Sequence, residues 1–301
     1  MLIAKNISKT FAKTNNAVSD ISLSMKEGKI IGLLGVNGAG KTTTIKMLSG
    51  LLNPDTGHIF IDDIELTSQT KYLKNKLNII PGGERNLYWR LTGRENLEYF
   101  GSLYGLRGKK CDDQINEILS TVQLINAADI LVENYSKGMK QRLQIARGLI
   151  NDPTYIFLDE PTLGLDILIA KEVRQHLKHL AVDKQKGILL TSHYIREVEE
   201  LCDYIYVLDA GNIIFEGTPT QLNQQLTIDS DVVSLTVDDT TKIVGFFKQY
   251  VVSENELTIS VESLQATLAH LSSENISVLD IKITRHTLED SLVTLFKETA
   301  K

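Results

Sequence analysis

A glycine-rich segment that ends in a lysine and a run of threonines carries the clearest chemistry of the sequence. Residues 35–42 read GVNGAGKT and fit the pattern G-x-x-x-x-G-K-[ST]. In such a segment successive backbone N–H groups curl around phosphate oxygens, while Lys41 can reach the outer phosphates and Thr42 can hold Mg²⁺. A chance match in a chain of this length is expected roughly once in a hundred sequences. The segment therefore predicts a phosphate-binding loop formed by Gly35, Asn37, Gly38, Ala39, Gly40, Lys41, Thr42 and Thr43.

An acidic pair follows an apolar stretch later in the chain. Residues 155–160 read YIFLDE, which is typical of a buried strand that ends in two carboxylates. Ligands of open α/β sheets gather at the carboxyl ends of the strands. Asp159 is therefore a candidate ligand of Mg²⁺, and Glu160 is a candidate general base for an attacking water. Acidic pairs after strands also cap helices, and this segment alone leaves both interpretations open. The phosphate-binding loop upstream favours the catalytic one.

Strands and helices alternate around both segments. The stretch 41–52 carries apolar residues at helical spacing, so a helix follows the phosphate-binding loop directly. The segments 187–193 and 204–211 have the apolar composition of strands, and helices are predicted over 167–182 and 194–202. This order predicts an α/β fold with a mixed, largely parallel sheet that is covered by helices.

The remaining segments divide the chain into two predicted domains, 1–220 and 221–301. Within the first, an inserted helical subdomain is expected at about 85–150, with helices over 95–104, 112–124 and 137–149. The second is expected to be a small α+β domain, because short strand-like and helix-like segments alternate after Pro219. Its predicted elements are strands over 232–237, 256–261 and 278–283 and helices over 242–250, 263–271 and from Thr287, which with Asp290 resembles a capping box.

Charge and composition exclude several classes of protein. Residues 221–301 hold 6 Lys/Arg and 12 Asp/Glu, so the formal net charge of −6 lies entirely there and the rest of the chain is balanced. Without a broad basic face, sequence-independent binding of nucleic acid lacks its electrostatic source. No apolar run approaches the roughly 18–20 residues that span a bilayer. The 2 cysteines are too few for a disulfide framework. We expect a chain that stays in the cytoplasm and binds anions only locally.

Three further motifs follow in a fixed order and carry a family resemblance. Residues 135–142, YSKGMKQR, resemble the signature of the ATP-binding cassette (ABC) family, and residues 162–166, TLGLD, resemble its D-loop. Residues 191–193, TSH, follow a strand where that family has its switch histidine. With the phosphate-binding loop and the acidic pair, five segments over residues 35–193 match in family order. The resemblance implies a P-loop NTPase fold.

The resemblance also implies a mechanism that one chain cannot complete. In this family two cassettes pair head to tail, so that ATP held by the phosphate-binding loop of one is covered by Ser136 and Gly138 of the other. His193 would contact the γ-phosphate, Lys41 and Glu160 would complete the catalytic group, and Phe11 would stack on the adenine. Taken by themselves, His193 is also typical of a helix-capping or core residue and Phe11 of a core residue at a strand end. Both alternatives stay open.

The sequence departs from the family pattern in two places. Lys137 and Met139 replace a Gly and a Gln of the commonest signature, although the two positions that would meet phosphate are kept. In the segment 79–84, IIPGGE, glycine stands where the family usually has a Gln that senses Mg²⁺ and the attacking water. We assign no catalytic role to this segment, and slow hydrolysis is one consequence of the difference. Shortly after it come Tyr88 and Trp89, which are either core aromatics or, by the resemblance, part of the groove that receives a helix of a membrane-spanning partner.

The family resemblance of three segments indicates a transport function. Segments 91–108, 135–142 and 287–296 together look like the ATPase subunits of bacterial exporters whose permease is a separate chain. The resemblance implies ATP and Mg²⁺ as ligands, a permease and a second cassette as partners, and a place at the cytoplasmic face of the membrane. Drug, antibiotic or peptide export is expected, and another exported substrate, such as ions or polysaccharide, is an alternative. A soluble family member in translation or DNA repair is one alternative, but such proteins usually carry two cassettes or a long coiled coil. A kinase built on the same loop is another, but it would not need the signature.

Overall fold

The structure is a computed structural model that falls into two compact units. Their boundary divides Met1–Pro219 from Thr220–Lys301. Each unit has a sheet and a hydrophobic core of its own. The structure describes residues 1–11, 15–66, 73, 75–81, 87–192, 194–226, 232–238, 251–253, 256–284 and 288–299.

The described strands of the first unit form two sheets. In chain order they are β1 (Leu2–Phe11), β2 (Asn15–Met25), β3 (Ile30–Gly35), β4 (Thr56–Ile61), β5 (Ile64–Glu65), β6 (Leu77–Ile80), β7 (Tyr155–Asp159), β8 (Gly187–Thr191), β9 (Tyr204–Asp209) and β10 (Asn212–Gly217). The larger sheet has the order β10-β9-β3-β8-β7-β6 and is parallel except for the β10–β9 pair. Its inner strands are almost continuously apolar, as expected for parallel strands that are buried on both faces.

A separate antiparallel sheet covers one side of the core. Its order is β2-β1-β4-β5, and its inward residues pack in one cluster with β3, β7 and β8. The apolar segments 2–8, 17–25 and 58–62 are predicted to be strands from the sequence. Their separation into a second sheet is not predicted, because strand pairing between distant segments leaves no local pattern.

Three of the described α-helices of the first unit lie in succession between β6 and β7, and each of the others follows a strand. In chain order they are α1 (Lys41–Leu48), α2 (Gly93–Leu103), α3 (Gly108–Thr121), α4 (Lys137–Leu149), α5 (Ile167–Val182), α6 (Ile195–Leu201) and α7 (Pro219–Leu226), the last of which crosses the boundary into the second unit. The helix predicted over 41–52 is wrong at its end. Gly50 has a φ of 72° and its N–H donates to the Met47 carbonyl, which stops α1 at Leu48.

The described strands of the second unit form a four-stranded antiparallel sheet. Its strands β11 (Val232–Val237), β12 (Val251–Ser253), β13 (Glu256–Ser260) and β14 (Val278–Thr284) lie in the order β12-β13-β11-β14. Helix α8 (Leu264–Ser273) packs Leu264, Leu268 and Leu271 on the core of β11 and β13, and α9 (Leu288–Thr299) follows β14. The helix predicted over 242–250 and the cap predicted at Thr287 lie outside the described residues.

Candidate functional site

The phosphate-binding loop joins β3 to α1 and folds around the lysine side chain. Lys41 Nζ donates to the carbonyl of Gly35 at 2.7 Å and to that of Val36 at 3.0 Å. Burial lowers the pKa of Lys41, and the carboxylates of Glu160 and Asp159 act against that shift. The ammonium is therefore held by the loop itself and lies in the field of the acidic pair.

Glycine is required where the loop passes closest to a neighbouring strand. Gly40 has a φ of 103°, and a Cβ at this position would lie 2.3 Å from the Ala17 carbonyl oxygen of β2. A residue with a side chain would be strained in this backbone conformation and would also collide with β2. Gly38 has a φ of 86° and faces open space, with no atom within 4 Å of an ideal Cβ. The loop is thus pressed against the sheet on one side and open on the other.

The acidic pair ends β7 beside the last residue of β8. Thr191 pairs with Asp159 in the parallel ladder, and its hydroxyl donates to Asp159 Oδ1 at 2.7 Å. The Glu160 N–H donates to the same hydroxyl oxygen at 3.1 Å. Glu160 has a φ of 51°, a left-handed conformation that is uncommon for residues other than glycine. Thr191 therefore stabilises the turn that orients the carboxylates of Asp159 and Glu160.

One pocket of about 210 Å³ brings the loop and the acidic pair together. Its lining includes the carboxylates of β7, although they follow the loop by more than a hundred residues. Ala39 is buried and its side chain belongs to the core. Gly35 contributes its carbonyl to Lys41. The lining residues are Ala17, Asn37, Gly38, Gly40, Lys41, Thr42, Thr43, Asp159 and Glu160.

Comparisons with known proteins agree with this geometry. A family model described as ABC transporter matches residues 18–163. The chain is 40% identical over 205 residues to the ABC transporter ATP-binding protein NatA of Bacillus subtilis (strain 168), which covers 68% of this chain and 83% of that protein. It is 34% identical to the linearmycin resistance ATP-binding protein LnrL of the same organism, over 100% of both chains. The chain belongs to the ABC transporter family.

Solved structures of ABC transporter cassettes are also similar to this chain. The structure of an ATP binding subunit of an ABC transporter has a TM-score of 0.65 and 30% identity, covering 75% of this chain and 92% of that one. The dimeric post-hydrolysis state of the cassette MJ0796, bound to ADP and Pi, has a TM-score of 0.64 and 27% identity, covering 72% and 98%. The predicted P-loop NTPase fold is confirmed. The chain is an ATP-binding and ATP-hydrolysing subunit of an ABC transporter.

The residues that resemble the family signature begin α4. The Ser136 hydroxyl caps this helix by accepting the Met139 N–H at 3.2 Å. Gly138 is buried against α5, where an added Cβ would lie 2.6 Å from Ile169 Cγ2. Neither residue lines the nucleotide pocket among the described residues of the same chain. The cassette thus presents the signature at a site separate from its own phosphate-binding loop.

Of the predicted residues Phe11 and His193, only Phe11 lies in the described part of the chain. Phe11 is 44% exposed at the end of β1, so the alternative of a core residue is wrong. It pairs with Asn15 of β2, two residues before Ala17 of the pocket lining. His193 lies outside the described residues, as does the segment 82–84 in which the family Gln is missing.

Glu197 of α6 is a residue that the sequence analysis did not identify. Its carboxylate oxygen Oε2 accepts hydrogen bonds from the hydroxyl of Thr162, at 3.0 Å, and from that of Ser192. Thr162 begins the segment that resembles the D-loop, and Ser192 precedes His193, the predicted switch histidine. Glu197 is 2% exposed, and burial raises its pKa. The sequence does indicate the unusual position of this glutamate. Glu197 lies four residues before Leu201, so both residues are on the apolar side of the helix.

The aromatic pair before α2 lies on the surface of the cassette. Trp89 is 49% exposed, and Lys140 Nζ lies 4.7 Å from the centre of its ring. Tyr88 is similarly exposed and packs edge-on against Tyr99, with ring centres 4.8 Å apart. The alternative that both are core aromatics is therefore wrong.

Proposed function

We propose that Met1–Pro219 is the ATP-binding domain of an exporter ATPase and that Glu160 is the general base of its hydrolysis. The observation that carries this proposal is the single pocket in which Lys41, Asp159 and Glu160 meet. Lys41 neutralises charge on the outer phosphates of ATP, and the Glu160 carboxylate accepts the proton of the attacking water. The left-handed conformation of Glu160 and the hydrogen bond from its N–H to Thr191 fix the backbone from which that carboxylate extends.

The donor set fits Mg²⁺. Thr42 and Asp159 both line the pocket and offer the hydroxyl and carboxylate oxygens that this ion accepts. In the described part of the chain no group of three or more His, Cys, Asp and Glu residues lies close enough to hold a metal ion. Oxygens of the phosphates and of water would therefore complete the shell. When bound, the ion offsets the negative charge that develops on the phosphates.

A second cassette completes the site. Ser136 and Gly138 lie at the start of α4 and are not among the described residues that line the pocket of their own chain, which supports a partner that brings its own copies over the nucleotide. Leu163, Ile167 and Leu168 around the D-loop are exposed apolar residues, which supports a contact surface there. His193 is assigned to the γ-phosphate and Phe11 to the adenine by the family resemblance.

A separate membrane permease is the proposed coupling partner, with the cassette at the cytoplasmic face of the cell membrane. Among the helices that the structure describes, none combines the length and the apolar character needed to cross a bilayer. The exposed surface of Tyr88 and Trp89 is the proposed docking site of the permease. No binding of nucleic acid is proposed, because the basic and acidic charges of residues 1–220 balance.

The proposed cargo is a drug, antibiotic or peptide. Similarity over the whole chain to the linearmycin resistance ATP-binding protein supports this class. A second similarity, of 38% identity over 77% of this chain and 75% of the relative, is to the Nod factor export ATP-binding protein I of Burkholderia lata. It supports the direction of transport. The unit Thr220–Lys301 is proposed as an accessory domain of the exporter.

Replacement of the general base tests the proposal. Glu160→Gln should keep the binding of ATP and slow turnover by roughly 10²- to 10⁴-fold, because proton transfer by a positioned base contributes about that much. ATP-bound dimers should accumulate, which light scattering measures. The matched control is Glu199→Gln, since Glu199 is exposed on α6. Normal turnover in Glu160→Gln would remove this residue from the role of base.

A further inference from the structure

Strand β14 is an edge of the second unit's sheet and keeps apolar side chains in solvent. It pairs with β11 on one side, and no other described strand pairs with it. Leu279, Ile281 and Ile283 are 65%, 45% and 50% exposed. An exposed edge strand with apolar residues is a template for pairing with another chain unless it is covered or charged.

The two isoleucines lie on the core side of the sheet. Ile281 is opposite Leu235 and Ile283 is opposite Val233 in the antiparallel ladder. Both partners on β11 are completely buried, and directly opposed residues share one face of a sheet. The core-facing side of the sheet therefore continues onto β14, where solvent reaches it.

The backbone N–H of Ile281 binds a side-chain acceptor. It donates to Oδ1 of Asp280 at 2.9 Å, although Ile281 lies opposite Leu235 in the ladder between β14 and β11. A side-chain carboxylate is an exchangeable acceptor, which another strand can replace with a carbonyl oxygen. The Ile281 N–H can therefore donate to a carbonyl oxygen of a partner strand instead of to Asp280, and it stays hydrogen-bonded.

The sequence of β14 is self-complementary when two copies run antiparallel. With Ile281 on the twofold axis, Ile281 lies opposite its own copy and Leu279 lies opposite Ile283 of the second copy. The same register places Asp280 opposite Lys282 of the second copy, twice by symmetry. Opposite charges directly across a strand pair are favourable, and both side chains are exposed in the isolated chain.

We propose that the C-terminal units of two copies of this chain pair through β14 and form one continuous eight-stranded sheet. A second copy is the expected partner. In an isologous contact, each apolar residue of β14 lies opposite an apolar residue and each charged residue lies opposite one of the other sign. One pair of seven-residue strands is small for a stable interface, so the dimer is expected at high micromolar concentration. This pairing needs no nucleotide, which separates it from the ATP-dependent association of the cassettes.

Sedimentation of the nucleotide-free full chain at low salt tests the pairing. The wild type should pass from monomer to dimer with rising concentration. Asp280→Lys should raise the dissociation constant roughly tenfold, because two attractive pairs become repulsive. Lys282→Asp should do the same and serves as the second variant if the first fails to fold. The double variant Asp280→Lys/Lys282→Asp restores opposite charges, and its dissociation constant should return to within about threefold of the wild type.

Cross-linking tests the register. Ile281→Cys should form a disulfide-linked dimer under a mild oxidant, because the two copies meet at the axis, and the native Cys111 and Cys202 are buried. Leu279→Cys is the matched control and should stay monomeric, since its opposite residue is Ile283. A chain that is monomeric at every concentration would overturn the proposal. So would a dimer that ignores the charge reversals, a disulfide yield equal in the two cysteine variants, or a cross-link from Ile281→Cys to a membrane protein only.

Discussion

The change Gly138→Ala tests how closely the signature helix must approach the D-loop helix. The added methyl group would lie 2.6 Å from Ile169 Cγ2 and 2.8 Å from Ile169 Cδ1. Ordinary contacts of a Cβ begin near 3.4 Å, so α4 or the Ile169 side chain must move by several tenths of an ångström. Ser136 starts the same helix, and its displacement moves the residues that are proposed to meet the partner's nucleotide.

The change has two opposing effects on stability. Overpacking of this kind costs about 1–3 kcal/mol. Replacing glycine by alanine inside a helix returns about 0.8–1 kcal/mol. The free energy of unfolding should therefore fall by at most about 2 kcal/mol, which for a unit of this size lowers the melting temperature by up to roughly 8 °C. Turnover should fall by up to about 10²-fold, the loss expected when the displacement in a positioned site approaches 1 Å.

ATPase activity and thermal unfolding measured on the same samples separate the two effects. The double variant Gly138→Ala/Ile169→Ala removes the collision and should recover most of the lost turnover, while Ile169→Ala alone gives the background effect of the second change. Wild-type turnover in Gly138→Ala would refute the argument. A double variant no more active than Gly138→Ala would also refute it, because the loss would then have a cause other than the contact with Ile169.

Three further predictions concern the nucleotide pocket, the buried glutamate and the aromatic surface. Lys41→Ala should weaken ATP binding by roughly 10- to 100-fold, because it removes hydrogen bonds between a charged group and the phosphates. The control Lys46→Ala, on the exposed side of α1, should leave the affinity for ATP unchanged. Equal affinities of the two variants in titration calorimetry would contradict the loop assignment. Burial raises the pKa of Glu197 above its ordinary value, so the native state binds the proton of this carboxyl more readily than the unfolded state does. The wild type should therefore gain stability relative to Glu197→Gln as the pH falls from neutral toward 4.5, and a difference in melting temperature that is constant with pH would argue against a buried titrating carboxyl. Trp89→Ala should weaken binding of the permease without changing the ATPase rate of the isolated cassette; unchanged capture of the permease from detergent extracts would dismiss the docking site.

Elements with a strong local pattern were predictable to the residue. The helices 137–149 and 167–182 and the strand 232–237 have the predicted bounds. The helix after the phosphate-binding loop ended early, because its termination depends on a left-handed glycine at position 50. Apolar spacing alone cannot show where such a backbone conformation occurs.

Exposure was the property that the sequence predicted least well. Phe11, Tyr88 and Trp89 are large aromatics for which burial is the default, yet all three are about half exposed. Glu197 has the opposite character, since a carboxylate is expected in solvent and this one is buried between two hydroxyl donors. Both outcomes depend on which segments pack together, and that is settled by contacts between residues far apart in the chain.

The order and spacing of short motifs determined the chemistry of this protein, because a phosphate-binding loop and a strand-end acidic pair each act through residues that are neighbours in sequence. Only the tertiary structure decided that Lys41, Asp159 and Glu160 share one pocket, because parallel strands bring their carboxyl ends to the same edge of the sheet. It also decided the packing of Gly138 against Ile169 and the link that Glu197 makes between the D-loop and the switch segment. These contacts join separate helices, and no local pattern encodes the distance between them.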